Sequence, residues 1–514
     1  MNSICDFGPA PEVPDLLNLA QHTLAHASVS PNKVALTLVG PSRDEARRYT
    51  YGELQALVFQ VAGGLSERGI KAGDRVVLRI GHSIDFPILF LATTSIGAVA
   101  VPTSSILTDR EVQFITENTD ARLLVCSKEL QLLSPSCAQL SVSEISGPPV
   151  DGFAETNAND LAYIIFTSGS SGNPKGVAHA HRAAFARRMM WDGWYGLTPE
   201  DTVIHAGAFN WTYTLGAGLM DPWASGASAL IYTGPKDPSI WPELVKRFGP
   251  TIFAATPGVY RQMLKYATDL SGLACLRHGL SAGEAMPENV LEDWQAQVGK
   301  PIYGALGMTE CSTFVSSSPL NPVVDGYVGR VQDGRKIAIL RADRSDSSVP
   351  LGEVGEISID LNDPGLMKEY WKNPSETRRA MVNCWFRTGD LGSMNENGYI
   401  RYEGRLDDQM NAQGYRVAPQ EIENALLKYP GILSVAAVEL PVRKDLSLIT
   451  AFYTSETGEH CEWDLSQHCM KLLASYKVPK IFRMVDDLPR SPNGKLQRKQ
   501  LVKQFSDQLP ASSI

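Results

Sequence analysis

Phe166-Thr167-Ser168-Gly169-Ser170-Ser171-Gly172-Asn173-Pro174-Lys175-Gly176 continues an apolar run, Leu161-Ala162-Tyr163-Ile164-Ile165-Phe166. The run predicts a buried strand. The segment after it bends freely, leaves backbone N–H groups exposed, and carries four hydroxyls and one ammonium. A strand that empties into such a loop builds a cradle for phosphate oxygens. It is not a Walker loop. That pattern ends in Gly-Lys-Ser/Thr, whereas here Pro174 precedes Lys175 and Gly176 follows it, leaving no hydroxyl in place for Mg²⁺. A plain Ser/Gly surface loop is the competing reading; the strand before it and the segments downstream weigh against it.

Outward from that loop, the chain alternates strand-like and helical stretches for about 400 residues. Apolar runs at 75–80, 122–125, 228–232 and 251–255 predict strands, and 51–68, 110–118 and 257–266 predict helices. The rhythm argues an α/β fold: a large N-terminal domain of parallel-rich sheets with flanking helices. A small β patch is expected over 335–340 and 353–359. A boundary falls near 404–408, giving domains 1–404 and 405–514. The second is a small α+β unit with a helix at 419–428, a strand at 435–439 and a helix at 465–474. With 514 residues, two or three cores are expected.

Composition narrows the function. A net charge of −9 argues against a general nucleic-acid or membrane-surface binder. The longest apolar stretch, 86–102, is broken by Thr93, Thr94, Ser95 and Gly97, so it reads as a core helix running into a strand. Eight scattered cysteines without a C-x-x-C pair argue against a disulfide framework or zinc site and point to a reducing cytoplasm. Acidic residues and prolines stand at the start, where a secretory signal would need basic and then apolar ones.

Five further segments complete a pattern: Arg48-Tyr49-Thr50-Tyr51-Gly52-Glu53-Leu54; Tyr303-Gly304-Ala305-Leu306-Gly307-Met308-Thr309-Glu310; Trp385-Phe386-Arg387-Thr388-Gly389-Asp390-Leu391-Gly392; Gly404-Arg405-Leu406-Asp407-Asp408 with Gly414-Tyr415-Arg416-Val417; and Pro489-Arg490-Ser491-Pro492-Asn493-Gly494-Lys495-Leu496. In this order, together with the first loop, they resemble the adenylate-forming superfamily, which includes acyl- and aryl-CoA synthetases, peptide-synthetase adenylation domains and beetle-type luciferases. The resemblance spans nearly the whole chain and is benzoate-CoA-ligase-like.

The resemblance implies an AMP-forming acid–thiol ligase that uses ATP and Mg²⁺. A carboxylate oxygen attacks the α-phosphate, pyrophosphate leaves, and the acyl-adenylate passes its acyl group to CoA. By the same resemblance Thr167, Ser168, Gly169, Ser170, Ser171, Gly172 and Lys175 hold the β- and γ-phosphates, Glu310 binds the metal, and Thr309 contacts the α-phosphate. Read alone, Thr309-Glu310 is also a common helix-capping pair. Asp390 would accept from both ribose hydroxyls, with Arg405 beside it; Gly283, Glu284 and Ala285 border adenine, and Tyr303 packs on the purine. Lys495 would draw the attacking carboxylate and α-phosphate together. Asp407 stands at the hinge about which the mobile small domain swings. Arg416 would serve ATP in one orientation, and Gly414 and Tyr415 would line the CoA channel in the other.

The acyl pocket is implied at Asn210, Trp211 and Tyr213, with Ala305, Leu306, Gly307 and Met308 as the opposite wall. Aromatic bulk beside Gly-Met suggests a compact slot for a flat ring or a short to medium chain. Amino-acid adenylating relatives usually carry aspartate near Asn210, which argues against an amino-acid substrate. His179-Ala180-His181 could suggest a metal pair, but no third ligand is evident and a structural role is favoured. The runner-up function is a stand-alone adenylation enzyme that loads a separate carrier protein. A degenerate binding protein is a third reading, opposed by the presence of Lys175, Glu310, Asp390, Arg405 and Lys495. Expected partners are the small carboxylic acid, ATP and CoA, and the resemblance allows a homodimer.

Overall fold

The computed structural model describes residues 2–42, 46–167, 174–209, 212–235, 237, 239–267, 269–284, 286–343, 345–408, 410–412, 415–443, 446–490 and 496–505, with backbone alone at 407, 411, 412, 415, 416, 441–443, 446, 447 and 476. Two large sheets organise the first 400 residues. One has seven strands, in the order Glu369–Tyr370, Lys175–Ala180, Leu161–Thr167, Val99–Pro102, Arg75–Arg79, Leu123–Cys126 and Ala138–Ser141. All pairings from Leu161–Thr167 onward are parallel, and the two at the other edge are antiparallel. The second sheet has fifteen strands. Its parallel run is Ile302–Met308, His278–Ala282, Ile252–Ala255, Thr202–His205, Ser228–Tyr232 and Val34–Val39. The expected β patch is present and continues this same sheet: Ser312–Ser316 turns back antiparallel on Ile302–Met308, and Lys336–Leu340 and Gly355–Asp360 follow farther along.

Helices Tyr51–Glu67 and Asp85–Ser95 lie between the sheets. Their apolar residues share one core with Val76, Leu78 and Ala100 of one sheet and Ala229 and Ile231 of the other. This explains why Asp85–Ser95 is apolar all round: every residue from Phe86 to Ser95 is buried. The segment 48–54 is where the first of these helices starts. Thr50 Oγ1 accepts from the Glu53 N–H at 3.2 Å, and Glu53 Oε2 accepts from the Thr50 N–H at 2.7 Å, a complete capping box. Tyr51 is fully buried and donates its hydroxyl to the Ala227 carbonyl at 2.7 Å.

Residues beyond 405 build a separate core around Met410, Val417, Ile422, Leu426, Ala451 and Leu465. Its sheet holds Ile432–Arg443, Leu446–Ser455 and Ile481–Met484, with helix Glu462–Leu472 crossing between the last two, which run parallel. The strand expected at 435–439 is therefore much longer and belongs to a hairpin. Pro441 hid this in the sequence; it sits at a register shift near the hairpin's end, where a strand tolerates proline. Among the described residues no helix is long and apolar enough to cross a membrane. All eight cysteines are free thiols.

Four buried histidines and the partly buried His22 give the fold a pH signature. Burial depresses His22, His179, His181 and His278 to about 4 and His205 to about 3, from an ordinary 6.5. The unfolded chain therefore takes up protons at a pH where the folded chain refuses them. Stability is expected to be flat above about pH 6.5 and to fall steeply from there toward pH 4. Denaturant titrations across that window check it; a flat profile down to about pH 5 would contradict the burial argument.

Candidate active site at the strand ends

Strand Leu161–Thr167 pairs antiparallel with Lys175–Ala180, placing Thr167 opposite Lys175. Ser168, Gly169, Ser170, Ser171 and Gly172 lie outside the described residues, as do Asn210, Trp211, Ala285, Gly414 and Lys495. Only the backbone is described at Asp407, Tyr415 and Arg416.

Lys175 does not stand alone at the loop's base. Its ammonium is ion-paired with Glu376 and lies 5.5 Å from the centre of the Tyr370 ring. The Tyr370 hydroxyl donates to Glu310 Oε1 at 2.8 Å, so Lys175 and Glu310 meet through one tyrosine. Register explains the approach. The short strand Glu369–Tyr370 adds to the edge of Lys175–Ala180 with Tyr370 opposite Val177, and the Trp371 N–H donates to the Gly176 carbonyl at 2.7 Å. The chain then enters helix Pro374–Ala380, whose N-cap Asn373 accepts from the Glu376 N–H.

Thr309-Glu310 forms the turn between Ile302–Met308 and Ser312–Ser316, not a helix cap. Groups from four other segments clamp this turn. His179 donates its Nε2–H to the Thr309 carbonyl at 2.8 Å, and the Met367 N–H donates to the Glu310 carbonyl at 2.7 Å. Arg335 donates to Cys311 Sγ at 3.2 Å and to the Thr313 carbonyl at 3.0 Å while ion-paired with Asp363 at 2.6 Å. Arg187 donates to Ser312 Oγ at 2.7 Å and grips Asp221 with two further bonds at 2.8 and 2.6 Å.

Asp390 and Arg405 face each other in register on neighbouring strands. Arg405 Nη1 donates to Asp390 Oδ1 at 3.1 Å, and the Tyr402 hydroxyl donates to the same oxygen at 3.2 Å. Burial opposes the Arg405 charge, but Asp390, Tyr402 and Glu310 outweigh it and its pKa rises. Burial, reinforced by the Asp390 carboxylate, holds the Tyr402 phenol well above its usual range, so it remains a donor. Gly389 sits at φ +73°, and a Cβ there would lie 3.2 Å from Arg405 Nη2. Glycine thus meets both a backbone need and a spatial one.

Gly283 and Glu284 follow strand His278–Ala282, and Glu284 Oε1 accepts from Arg490 Nη1 of the small unit at 2.8 Å. Tyr303 stands edge-on to His278 at 5.0 Å, and its carbonyl accepts from Trp194 Nε1–H at 3.0 Å. Tyr213 is partly buried, stacked on Trp194 at 5.9 Å and edge-on to His205 at 4.5 Å. Of the proposed opposite wall, Ala305 shares a cluster with Tyr213, Trp194 and Tyr303. Leu306 and Met308 instead pack on the core of Phe314 and Val315, while Gly307 is exposed. A strand alternates its faces, and a register shift between Leu306 and Gly307 separates them further.

The two histidines of 179–181 each bond a backbone group. His179 serves Thr309 as described, and His181 Nδ1 accepts from the Leu19 N–H at 3.0 Å. Among the described residues no group of three or more His, Cys, Asp or Glu could hold a metal. Sequence reading missed Tyr370, Glu376, Tyr402 and the Arg335–Asp363 pair. Asn373-Pro374 with an acid at 376 does signal a helix start. It gives no sign that Glu376 reaches a lysine 201 residues away.

Thr167, Gly283-Glu284 and Thr309-Glu310 stand at or just past the carboxyl ends of Leu161–Thr167, His278–Ala282 and Ile302–Met308, where open α/β sheets bind ligands. The profile of the AMP-binding enzyme family matches residues 24–371, and that of the AMP-binding enzyme C-terminal domain matches 421–495. The chain is 31% identical over 485 residues to a benzoate–CoA ligase of Thauera aromatica, covering 88% of this chain and 90% of the relative. It superposes on a benzoate CoA ligase from Burkholderia xenovorans LB400 with a TM-score of 0.85, at 26% identity, over 95% of this chain and 100% of that one. An anthranilate CoA ligase in complex with anthranoyl-AMP gives a TM-score of 0.86 at 26% identity, over 96% and 98% of the two chains.

Proposed function

The chain belongs to the AMP-binding enzyme family, and on that premise we propose that it is an AMP-forming ligase joining an aromatic carboxylic acid to CoA. The observation that carries the reading is the convergence of Lys175, Glu310, Asp390 and Arg405 at the strand ends. An acid attacking ATP must bring several negative charges together, and these side chains supply cations, a metal-binding carboxylate and a ribose acceptor where that happens. The carboxylate oxygen bonds to the α-phosphorus as the bond to pyrophosphate breaks. In the second step the CoA sulfur bonds to the acyl carbon, its proton passes to solvent and AMP leaves.

Glu310 suits Mg²⁺. It offers one half-buried carboxylate with no cage of protein ligands among the described residues, which fits a hard cation that keeps water and phosphate oxygens as its other ligands. Bound there, Mg²⁺ supplies charge neutralisation for the phosphate oxygens. Tyr370 orients the Glu310 carboxylate, and burial followed by the neighbouring Glu310 charge keeps its phenol protonated. Asp390, fixed by Tyr402 and Arg405, would take the ribose hydroxyls. Lys495 would act in the first half-reaction, and residues 405–514 would turn about Asp407 before the second. The aromatic enclosure of Tyr213, Trp194 and His205 with Ala305 favours a flat ring. Free thiols and the lack of a membrane-crossing helix among the described residues suit a reducing cytoplasm. Because the relatives are CoA ligases, a carrier protein as acceptor is not favoured.

The test is pyrophosphate release across benzoates, short-chain and medium-chain acids, with and without CoA. Release that requires a benzoate and turns over only with CoA is expected. A single burst unaffected by CoA would move the acceptor to a carrier protein, and release with aliphatic acids alone would overturn the aromatic assignment.

A further inference from the structure

We propose that Glu376 competes with phosphate for Lys175: the carboxylate yields the ammonium to ATP and reclaims it as pyrophosphate leaves. The inference rests on the reading that Lys175 serves the phosphates. Three observations carry it.

The first is the pair itself. Lys175, just after the glycine- and serine-rich segment, is ion-paired with the Glu376 carboxylate. Both side chains remain partly open to solvent, at 19% and 27% of full exposure. The ion pair below the neighbouring Thr309-Glu310 turn, Arg335–Asp363, is instead sealed at 1% and 1%. A sealed pair is permanent architecture; a half-open one exchanges partners at low cost.

The second is that each partner has somewhere to go. Glu376 Oε1 lies 3.7 Å from Arg379 Nη1, one turn along the same helix, so a carboxylate leaving Lys175 keeps a cation beside it. Lys175 keeps the Tyr370 ring face at 5.5 Å, which holds the ammonium at the loop when the carboxylate withdraws.

The third is charge. With Glu310 joined to Tyr370 and Glu376 to Lys175, two carboxylates border a site meant for a polyanion. Glu310 has a task with the metal. Glu376 has none that a bound triphosphate would favour, and left in place it repels the γ-phosphate. It therefore opposes phosphate binding and assists pyrophosphate departure. A scaffold role, aligning Lys175 for phosphate, predicts the opposite sign.

Calorimetric titration of magnesium pyrophosphate into the full chain separates the two. Glu376→Gln keeps the shape and the backbone bond to Asn373 but removes the charge. It is expected to bind pyrophosphate about fivefold tighter than wild type, with slower pyrophosphate release, and Glu376→Asp should stay close to wild type. Thermal melting of each variant confirms the fold. Equal or weaker binding by Glu376→Gln, with wild type binding normally, overturns the inference alone. A wild type that binds neither pyrophosphate nor ATP overturns it together with the proposed ligase activity.

Discussion

Lys495→Ala is expected to lower pyrophosphate release at least a hundredfold with every acid, yet to leave thioester formation from supplied acyl-adenylate within a few-fold of wild type. The asymmetry follows from what the ammonium is for. Two anions, the carboxylate and the α-phosphate, must approach in the first step, and a positioned cation stabilises that meeting. Once pyrophosphate has gone, a neutral acyl carbon meets a thiol and the same cation has no work. Lys495 lies outside the described residues, but its flanks do not. Arg490 and Leu496 form a bridge, and the Gln497 N–H donates to the Pro489 carbonyl at 2.8 Å. On one side Arg490 is paired with Glu284 of the large unit at 2.8 Å. On the other, Arg498 donates to both Glu423 oxygens at 2.7 and 2.8 Å and anchors the following helix, Arg498–Phe505. The base of the segment is tied to both units. Stopped-flow measurement of each half-reaction separately checks the expectation; equal loss in both would remove Lys495 from its assigned role.

What was legible in the sequence was local. The strand before the phosphate loop, the Thr50–Glu53 helix start and the helix Pro257–Tyr266 are written in short patterns of burial and capping that need no knowledge of distant partners. Asp390 and Arg405 were named from motifs fifteen residues apart, and a simple two-stranded register brings them face to face. Illegible were the contacts made by strand order. Tyr370 reaches Glu310, and Glu376 reaches Lys175, only because the two-residue strand Glu369–Tyr370 joins the edge of a sheet built some two hundred residues earlier. No periodicity announces such a strand. The residues named for the acyl wall divide between clusters for a related reason. Ala305 and Leu306 are neighbours in sequence but lie in different cores, and the bulge that follows them carries no mark in the sequence.

The Arg335–Asp363 pair joins stability to the site, and Asp363→Ala should expose both. Arg335 is sealed in the core with Asp363 as its counter-ion; its other acceptors are the Thr313 carbonyl, Gln332 Oε1 and Cys311 Sγ. Removing the carboxylate leaves a buried guanidinium without a counter-charge, at a cost of about 3–5 kcal/mol and a midpoint fall on the order of 3–6 °C. Two of the remaining acceptors, Cys311 and Thr313, lie just past Glu310. A guanidinium seeking new partners therefore displaces the turn that carries Glu310, the carboxylate proposed for the metal, and activity falls at temperatures well below the melt. Scanning calorimetry with a Mg²⁺ titration of activity measures both effects. The double variant Arg335→Met, Asp363→Leu separates them. A buried ion pair replaced by apolar residues of similar volume is often neutral in stability, so the midpoint should largely recover. The donors to Cys311 and Thr313 do not return with it, and the Mg²⁺ requirement should stay raised. A double variant with wild-type Mg²⁺ dependence would mean that the pair stabilises the fold and does nothing to aim Glu310.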